Sequence, residues 1–298
     1  MSIALIALLI LWWVCGPRQS SGPRIAIPGG DGGGIPRVSP SEAHLDATAL
    51  QDACRDAAAD GLQAFVVTRG DYIVFERYGR GFSADSRIDS GPFARTLLAL
   101  TAGIANHDDR VPMPDTAGFD PAAVRRAIES GTHQGYSEYL SLRLWRPLNA
   151  ASAWIALPAV GAAAPADCCV HARIVDWVRV AMLLLADGRF EGKAVVPAGW
   201  VQRMRQPVSA SGAEGFGIEL APAAHGAEAF ADRDVLFLRG PARWRIWVLP
   251  ELRLALLYGA PTDAAHWDET RLPNLVIRAL SEPAGPVGSK LQQLVPGH

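Results

Sequence analysis

Apolar and polar positions along the chain alternate between two periods. Residues 46–59 carry apolar side chains at Leu50, Ala53, Cys54 and Ala57, the spacing of one helix face, and Asp46 is placed to cap it. Two β-rich runs follow, 62–68 and 72–78, joined by Arg69-Gly70-Asp71. The spacing predicts a hairpin with a Gly-centred turn, which explains the Arg-Gly-Asp string better than an adhesion motif does. Ser90-Gly91-Pro92 opens an apolar run over 93–105, with proline just inside the start of a helix. The middle of the chain, 120–201, reads as mostly helical, with segments at 136–145, 174–187 and 197–205. Strand patterns return at 215–220, 235–238, 244–249 and 254–258, and a helix over 268–281 closes the pattern. Strands from both ends with helices between them predict one α+β domain: an antiparallel β-sheet flanked by helices, with a helical insertion.

The amino terminus departs from this pattern. Residues 3–15 are an unbroken apolar run, short for a spanning helix of about 20 residues and within the roughly 7–15 of a signal h-region. It lacks a basic start and a small-x-small cleavage site. Trp12 and Trp13 stand at its end, where an interfacial anchor places aromatics. Cys15 follows Trp-Trp-Val, too bulky for a lipobox. The run is read as an uncleaved export anchor, against which Arg18, Arg24 and Arg37 pull toward a cytoplasmic side. From 17 to 43 the chain is rich in Gly, Pro and Ser, with Pro28-Gly29-Gly30-Asp31-Gly32-Gly33-Gly34 at its centre. Such a segment buries too little to offset backbone entropy and reads as a tether. It is no phosphate loop, since no Lys-Ser/Thr follows. The expected plan is an anchor at 1–16, a tether at 17–43, a domain at 44–282 and a loose tail at 283–298.

Composition narrows the function classes. The chain has 298 residues, is 49% hydrophobic and 19% charged, and carries a formal charge of −2, which excludes wholesale disorder and gives no electrostatic footprint for nucleic acid. Among 28 basic residues only Lys193 and Lys290 are lysines. Of the four cysteines, Cys15, Cys54, Cys168 and Cys169, neighbours 168 and 169 would bridge only under strain, so one bond at most is expected. Cys168-Cys169-Val170-His171 offers soft ligands without a second cluster, so neither a metal site nor a cofactor is expected. No GxSxG elbow or HExxH helix is present.

Several strings, in order, resemble the serine β-lactamase and penicillin-binding superfamily, in particular the class C-like β-lactamase-related hydrolases that include esterases and 6-aminohexanoate-dimer hydrolases. Phe65-Val66-Val67-Thr68-Arg69-Gly70-Asp71-Tyr72 through Gly79 is similar to the first hairpin of that superfamily. Tyr139-Leu140 through Leu144-Trp145-Arg146-Pro147-Leu148 resembles its "eYl…LW.PLG" segment, with Asn149 in place of glycine. Asp176-Trp177-Val178-Arg179-Val180, then Asp187-Gly188-Arg189-Phe190 and Val195-Val196-Pro197, resembles "DwaRfg…DG.w…vvP", and 245–259 resembles the two carboxyl-terminal strands. The resemblance covers 35–282.

It implies three catalytic elements, and none matches. A serine followed one turn later by lysine would fall on Pro92 and Arg95. Proline carries no nucleophile, and arginine, with a pKa above about 12, is no general base near neutral pH. No Ser-x-x-Lys occurs anywhere in the chain, and no tyrosine lies between Gly79 and Gly135, where the family carries its proton-relay loop. The strand that would bind substrate falls on Leu238-Arg239-Gly240, with glycine kept and the basic partner not clearly matched. A pseudoenzyme in the cell envelope is therefore expected, with no catalytic residue. Its partner would be a cell-wall peptide or glycan, or a protein, its membrane contact would come through the anchor, and nucleic acid is excluded. Arg95 and Arg239 would either present cations to a carboxylate or pair within a filled cleft. The rival expectation is an active hydrolase with a displaced nucleophile, Ser90 or Thr96. Ser90 is read instead as the helix cap, and Thr96 points away from the serine direction without an evident base. His107, His133, His171 and His225 assemble into no triad.

Overall fold

The computed structural model describes residues 22–59, 61–113, 118–220, 230–231, 234–261 and 267–281. The apolar run at 3–15, the start of the tether, the tail from 283, His225 and Lys290 lie outside them. No helix among the described residues is long and apolar enough to cross a membrane.

Strands β2 (Ala64–Arg69) and β3 (Tyr72–Tyr78) form the expected hairpin about Gly70, whose φ is +57°. Strands β12 (Arg245–Leu249) and β13 (Leu254–Gly259), far away in sequence, join it directly: Leu256 stands opposite Val67 and Tyr258 opposite Phe65. With β9 (Glu214–Gly215), β10 (Ile218–Glu219) and β11 (Leu236–Arg239) they make an antiparallel sheet in the order β3-β2-β13-β12-β11-β10-β9. The strand expected over 215–220 is therefore two, folded back at Gly217, where φ is +71°.

Alternation along these strands serves two apolar layers. Val66, Ile246, Val248 and Leu257 face one layer, and Phe65, Val67, Trp247 and Leu256 face the other. The second layer is covered by helix α1 (Ala47–Ala58), capped as expected by Asp46, which accepts from Thr48 N at 2.7 Å and Ala49 N at 2.9 Å. The carboxyl-terminal helix Arg271–Arg278 packs beside α1. The first layer is covered by the helix Ile174–Leu185, which lies on β2, β12 and β13, and by helix α2 (Phe93–Asp108), which meets the sheet at β11 and is buried all round from Phe93 to Ala105 except at Arg95. A helix apolar on every face belongs in a core, and α2 is its axis.

The middle of the chain holds more strand than its pattern predicts. β1 (Arg24–Ile27), β4 (Arg87–Asp89), β5 (Ala153–Ala156) and β6 (Val170–Arg173) form a second sheet in the order β1-β5-β6-β4. Helices α3 (Pro121–Thr132) and α6 (Trp200–Met204) pack on α2, and α4 (Tyr136–Leu140) lies against β1 and runs on into a π-helical turn, Ser141–Trp145. Helix α5 (Ile174–Leu185) leads from β6 onto the large sheet, followed by a two-stranded hairpin of β7 (Arg189–Phe190) and β8 (Lys193–Ala194). The expected tether is corrected here: from residue 22 on it is part of the fold. β1 pairs with β5, and Gly29 lies so close to Ala150 and Ala151 that a Cβ would come within 2.3 Å of backbone. The Gly32 and Gly33 carbonyls accept from the guanidinium groups of Arg173 and Arg179. Glycine is used here for close approach, not for looseness.

One disulfide joins Cys168 to Cys169, the adjacent pair judged strained from sequence. Those sulfurs therefore offer no thiolate for a metal. Cys54 is free and buried.

Candidate active site

The head of α2 places the residues singled out in the sequence. β4 delivers the chain to Ser90, and Gly91 turns it with φ +44°, tight against Pro241. Pro92 stands exposed at the N-cap position, where no side chain caps the helix. The expectation that Ser90 caps α2 is thus overturned. Ser90 is fully buried and belongs to the neighbouring strand contact: its Oγ accepts from Val170 N at 3.0 Å, and its own N–H donates to the Val170 carbonyl at 2.8 Å. The local Ser-Gly-Pro string has the look of a cap, but a partner 80 residues away takes the hydroxyl.

Thr96 is also buried. Its hydroxyl donates to the Gly217 carbonyl at 2.9 Å, across a contact so close that a Cβ on Gly217 would sit 2.5 Å from Ala99 Cβ. Neither hydroxyl faces a base. Arg95, one turn after Pro92, lays its guanidinium over the Phe119 ring at 5.5 Å. Its Nε is buried without a hydrogen-bond partner, and it makes no ion pair with a described residue.

Arg239 lies opposite on β11 and is held on both sides. Nη1 is 3.0 Å from Glu219, while Nε and Nη2 reach Glu269 at 3.1 and 2.7 Å. Glu269 also takes Arg245 Nε at 2.7 Å, and Arg245 donates on to the Gly240, Ala242 and Trp244 carbonyls. Gly240 is packed under Trp244 and Phe93, and its N–H donates to the Trp244 carbonyl at 2.8 Å. Between α2, β10 and β11 remains a hollow of about 20 Å3 lined by Pro92, Arg95, Thr96, Glu219 and Arg239, space for roughly one water. Burial raises the Glu219 carboxyl above its ordinary value of 4.5, and the nearby arginines oppose that rise.

The structure thus brings Pro92, Arg95, Thr96 and Arg239 to one cleft and places Ser90 behind it. Sequence reading missed the two acids. Glu219 ends the two-residue strand β10, and Glu269 precedes a helix 30 residues beyond Arg239. The charge of Glu219 at an apolar strand end was a signal; Glu269, among Asp268, Thr270 and Arg271, carried none. Of the histidines, His107 contacts Asp108 on the surface and His171 stacks on Trp154, both away from the cleft residues.

No family model matches the chain, and neither does any curated protein. Solved structures do. A Bacillus anthracis protein described as a 6-aminohexanoate-dimer hydrolase superposes with a TM-score of 0.66 at 11% identity, over 90% of this chain and 92% of that one. A β-lactamase from Mycobacterium bovis gives 0.60 at 14% identity, over 78% and 100%. A β-lactamase/D-alanine carboxypeptidase from Pseudomonas syringae gives 0.58 at 12%, over 79% and 99%. At these identities the likeness concerns architecture, and the sheet built from both ends of the chain around a buried central helix is that architecture: the chain has the fold of the serine β-lactamase and penicillin-binding hydrolases.

Proposed function

We propose that the protein is a catalytically degenerate member of this fold, with a binding or scaffold role in the cell envelope. One observation carries the reading: the head of α2, where a hydrolase of this fold would need a free hydroxyl beside a base, offers none. Pro92 occupies the exposed position. The hydroxyls on either side, Ser90 and Thr96, are buried and bonded to backbone, and the flanking base would be Arg95, which holds its proton at any ordinary pH. Covalent catalysis needs the nucleophile, its base and the relay as a unit. The hollow holds about one water, so a ligand would meet this cleft at its mouth rather than enter it. Arg95, left without an acceptor, is the group a ligand carboxylate would meet, as on a cell-wall peptide or an acidic protein segment. The rival reading, a hydrolase using Ser90 or Thr96, draws on the hydrolase descriptions of the structural neighbours.

Labelling separates the two. The protein treated with a fluorophosphonate and with a fluorescent penicillin should show no mass increase. Pro92→Ser should remain inert, and Pro92→Ser with Arg95→Lys should acylate slowly at most, without turnover. Stoichiometric labelling of the unmodified chain, mapped to residues 90–96, would overturn the proposal and make the displaced nucleophile the function.

A further inference from the structure

The second sheet carries a surface that the cleft does not use. On its exposed face Trp154 of β5 stacks on His171 of β6, with rings 5.4 Å apart and nearly parallel. Arg24 of β1 and Arg87 of β4 set their guanidinium groups over the same indole at 5.1 and 4.9 Å. Both arginines are exposed, and neither forms an ion pair with a described residue. Arg173 on this face is by contrast engaged by Asp85 and Asp176. The loop that leaves β5 starts at this edge, Leu157 N donating to the Pro23 carbonyl at 2.8 Å. It carries Val160, 88% exposed and the most exposed large apolar side chain among the described residues. Aromatic and cationic groups therefore share this face with Asp89, which stands opposite His171 on β4 and accepts from Gly91 N, and the Val160 loop leaves from its edge.

The chain enters the domain at that same end. The apolar run stops at Cys15, nine residues before Arg24, and nine residues reach about 32 Å at most. With the run in a bilayer, as the anchor reading holds and on which this inference rests, the β1 edge is kept within that distance of the headgroups. Tryptophan prefers that depth, arginine reaches phosphate from it, and an exposed valine gains by entering the acyl boundary. We infer that the face formed by Arg24, Trp154, Arg87 and the Val160 loop docks on an anionic lipid surface, fixing the orientation of the domain.

Partition of the full chain into vesicles tests this. In an Arg18→Gln background, which removes the cation flanking the apolar run, zwitterionic phosphatidylcholine vesicles report the anchor alone, and vesicles with added phosphatidylglycerol report the anchor plus the face. The anionic vesicles should bind the chain roughly thirtyfold more tightly, as two arginines near a charged surface provide. Arg24→Glu with Arg87→Glu should erase that increment without changing binding to the zwitterionic vesicles. The milder pair Arg24→Gln and Arg87→Gln should already remove it, each arginine carrying about half. Amide exchange at residues 157–164 of the unmodified chain should slow on anionic vesicles. Equal partition into both vesicle types, an increment that survives the charge reversal, or unchanged exchange in that loop overturns the inference. Failure to bind zwitterionic vesicles, with the anionic increment intact, overturns the anchor reading instead.

Discussion

Two carboxylates in this molecule each sit between two arginines, and they do opposite work. Asp176, at the start of α5 and wholly buried, takes Arg173 Nε at 2.8 Å and Arg179 Nη1 at 2.9 Å. Both arginines hand on further protons to the Gly32 and Gly33 carbonyls, so the cluster pins the glycine-rich segment to the core. Glu269 takes Arg239 and Arg245, but its network opens into the cleft. There Glu219 is held above its usual pKa, and Arg95 stands by without a hydrogen-bond partner for its Nε. A cluster whose every donor ends on an acceptor is a fastening. One that ends on an unanswered cation and a reluctant anion is a filled cleft with capacity left for a ligand.

The largest expected effect breaks the first cluster. Asp176→Asn strands Arg179, whose side chain is 2% exposed, and removing one partner of a buried pair costs about 3–5 kcal/mol. Urea unfolding should register that loss, and amide exchange over residues 29–34 should quicken before the rest of the domain changes. If that segment exchanged at the unmodified rate, Asp176 would not be what fastens it. Glu269→Gln should cost less, roughly 1.5–3 kcal/mol. Arg245 keeps three carbonyl acceptors and Arg239 keeps Glu219. A loss equal to that of Asp176→Asn would abolish the distinction between fastening and fill.

These clusters also mark where the sequence could be read and where it could not. The β2–β3 hairpin is legible because its signal is local: two β-rich runs around a glycine. The pairing of β2 with β13 follows from the family strings rather than from any spacing. The glycine-rich segment misleads because it is held through its backbone carbonyls, by arginines more than 140 residues on; composition reports what its side chains cannot bury, not what its backbone can bond. β5 and β6 escaped because four-residue strands are too short to show a period against flanking helices. In the cleft, Pro92, Arg95 and Arg239 were legible through the family pattern. Glu219 and Glu269 were not, because their meaning comes from arginines that only the fold brings near.

Ser90 sharpens the comparison from the fastening side, since it ties the head of α2 to β6. Ser90→Ala leaves the Val170 N–H buried and unpaired, at about 1–3 kcal/mol. A lost cap would cost a similar 0.5–2 kcal/mol, so the size alone decides nothing. Ser90→Asp does decide: aspartate is a strong cap and should be tolerated if capping were the role, whereas a carboxylate buried between β4 and β6 should destabilise more than alanine. Exchange at the Val170 amide should accelerate in the alanine variant, and an unchanged Val170 rate would return Ser90 to the helix.

The smallest effect lies at Glu219, on the cleft side. Its carboxyl is raised above 4.5 mainly by burial, with Arg239 the first group pulling it back. A raised acid binds its proton more tightly folded than unfolded, so the unfolded chain carries the lower proton count between the two pKa values. The contribution of this group is therefore complete below pH 4.5 and is lost as pH rises through the folded value. Glu219→Gln removes the dependence. Against the unmodified protein the variant should gain relative stability as pH increases from 4.5 toward neutrality, by less than about 1 kcal/mol because the group is partly solvated and paired. Paired urea titrations at pH 4 and pH 7 measure the difference. A variant that instead loses ground as pH rises would mean that the Arg239 pair outweighs desolvation, and that the cleft acids hold their site as firmly as Asp176 holds the glycine-rich segment.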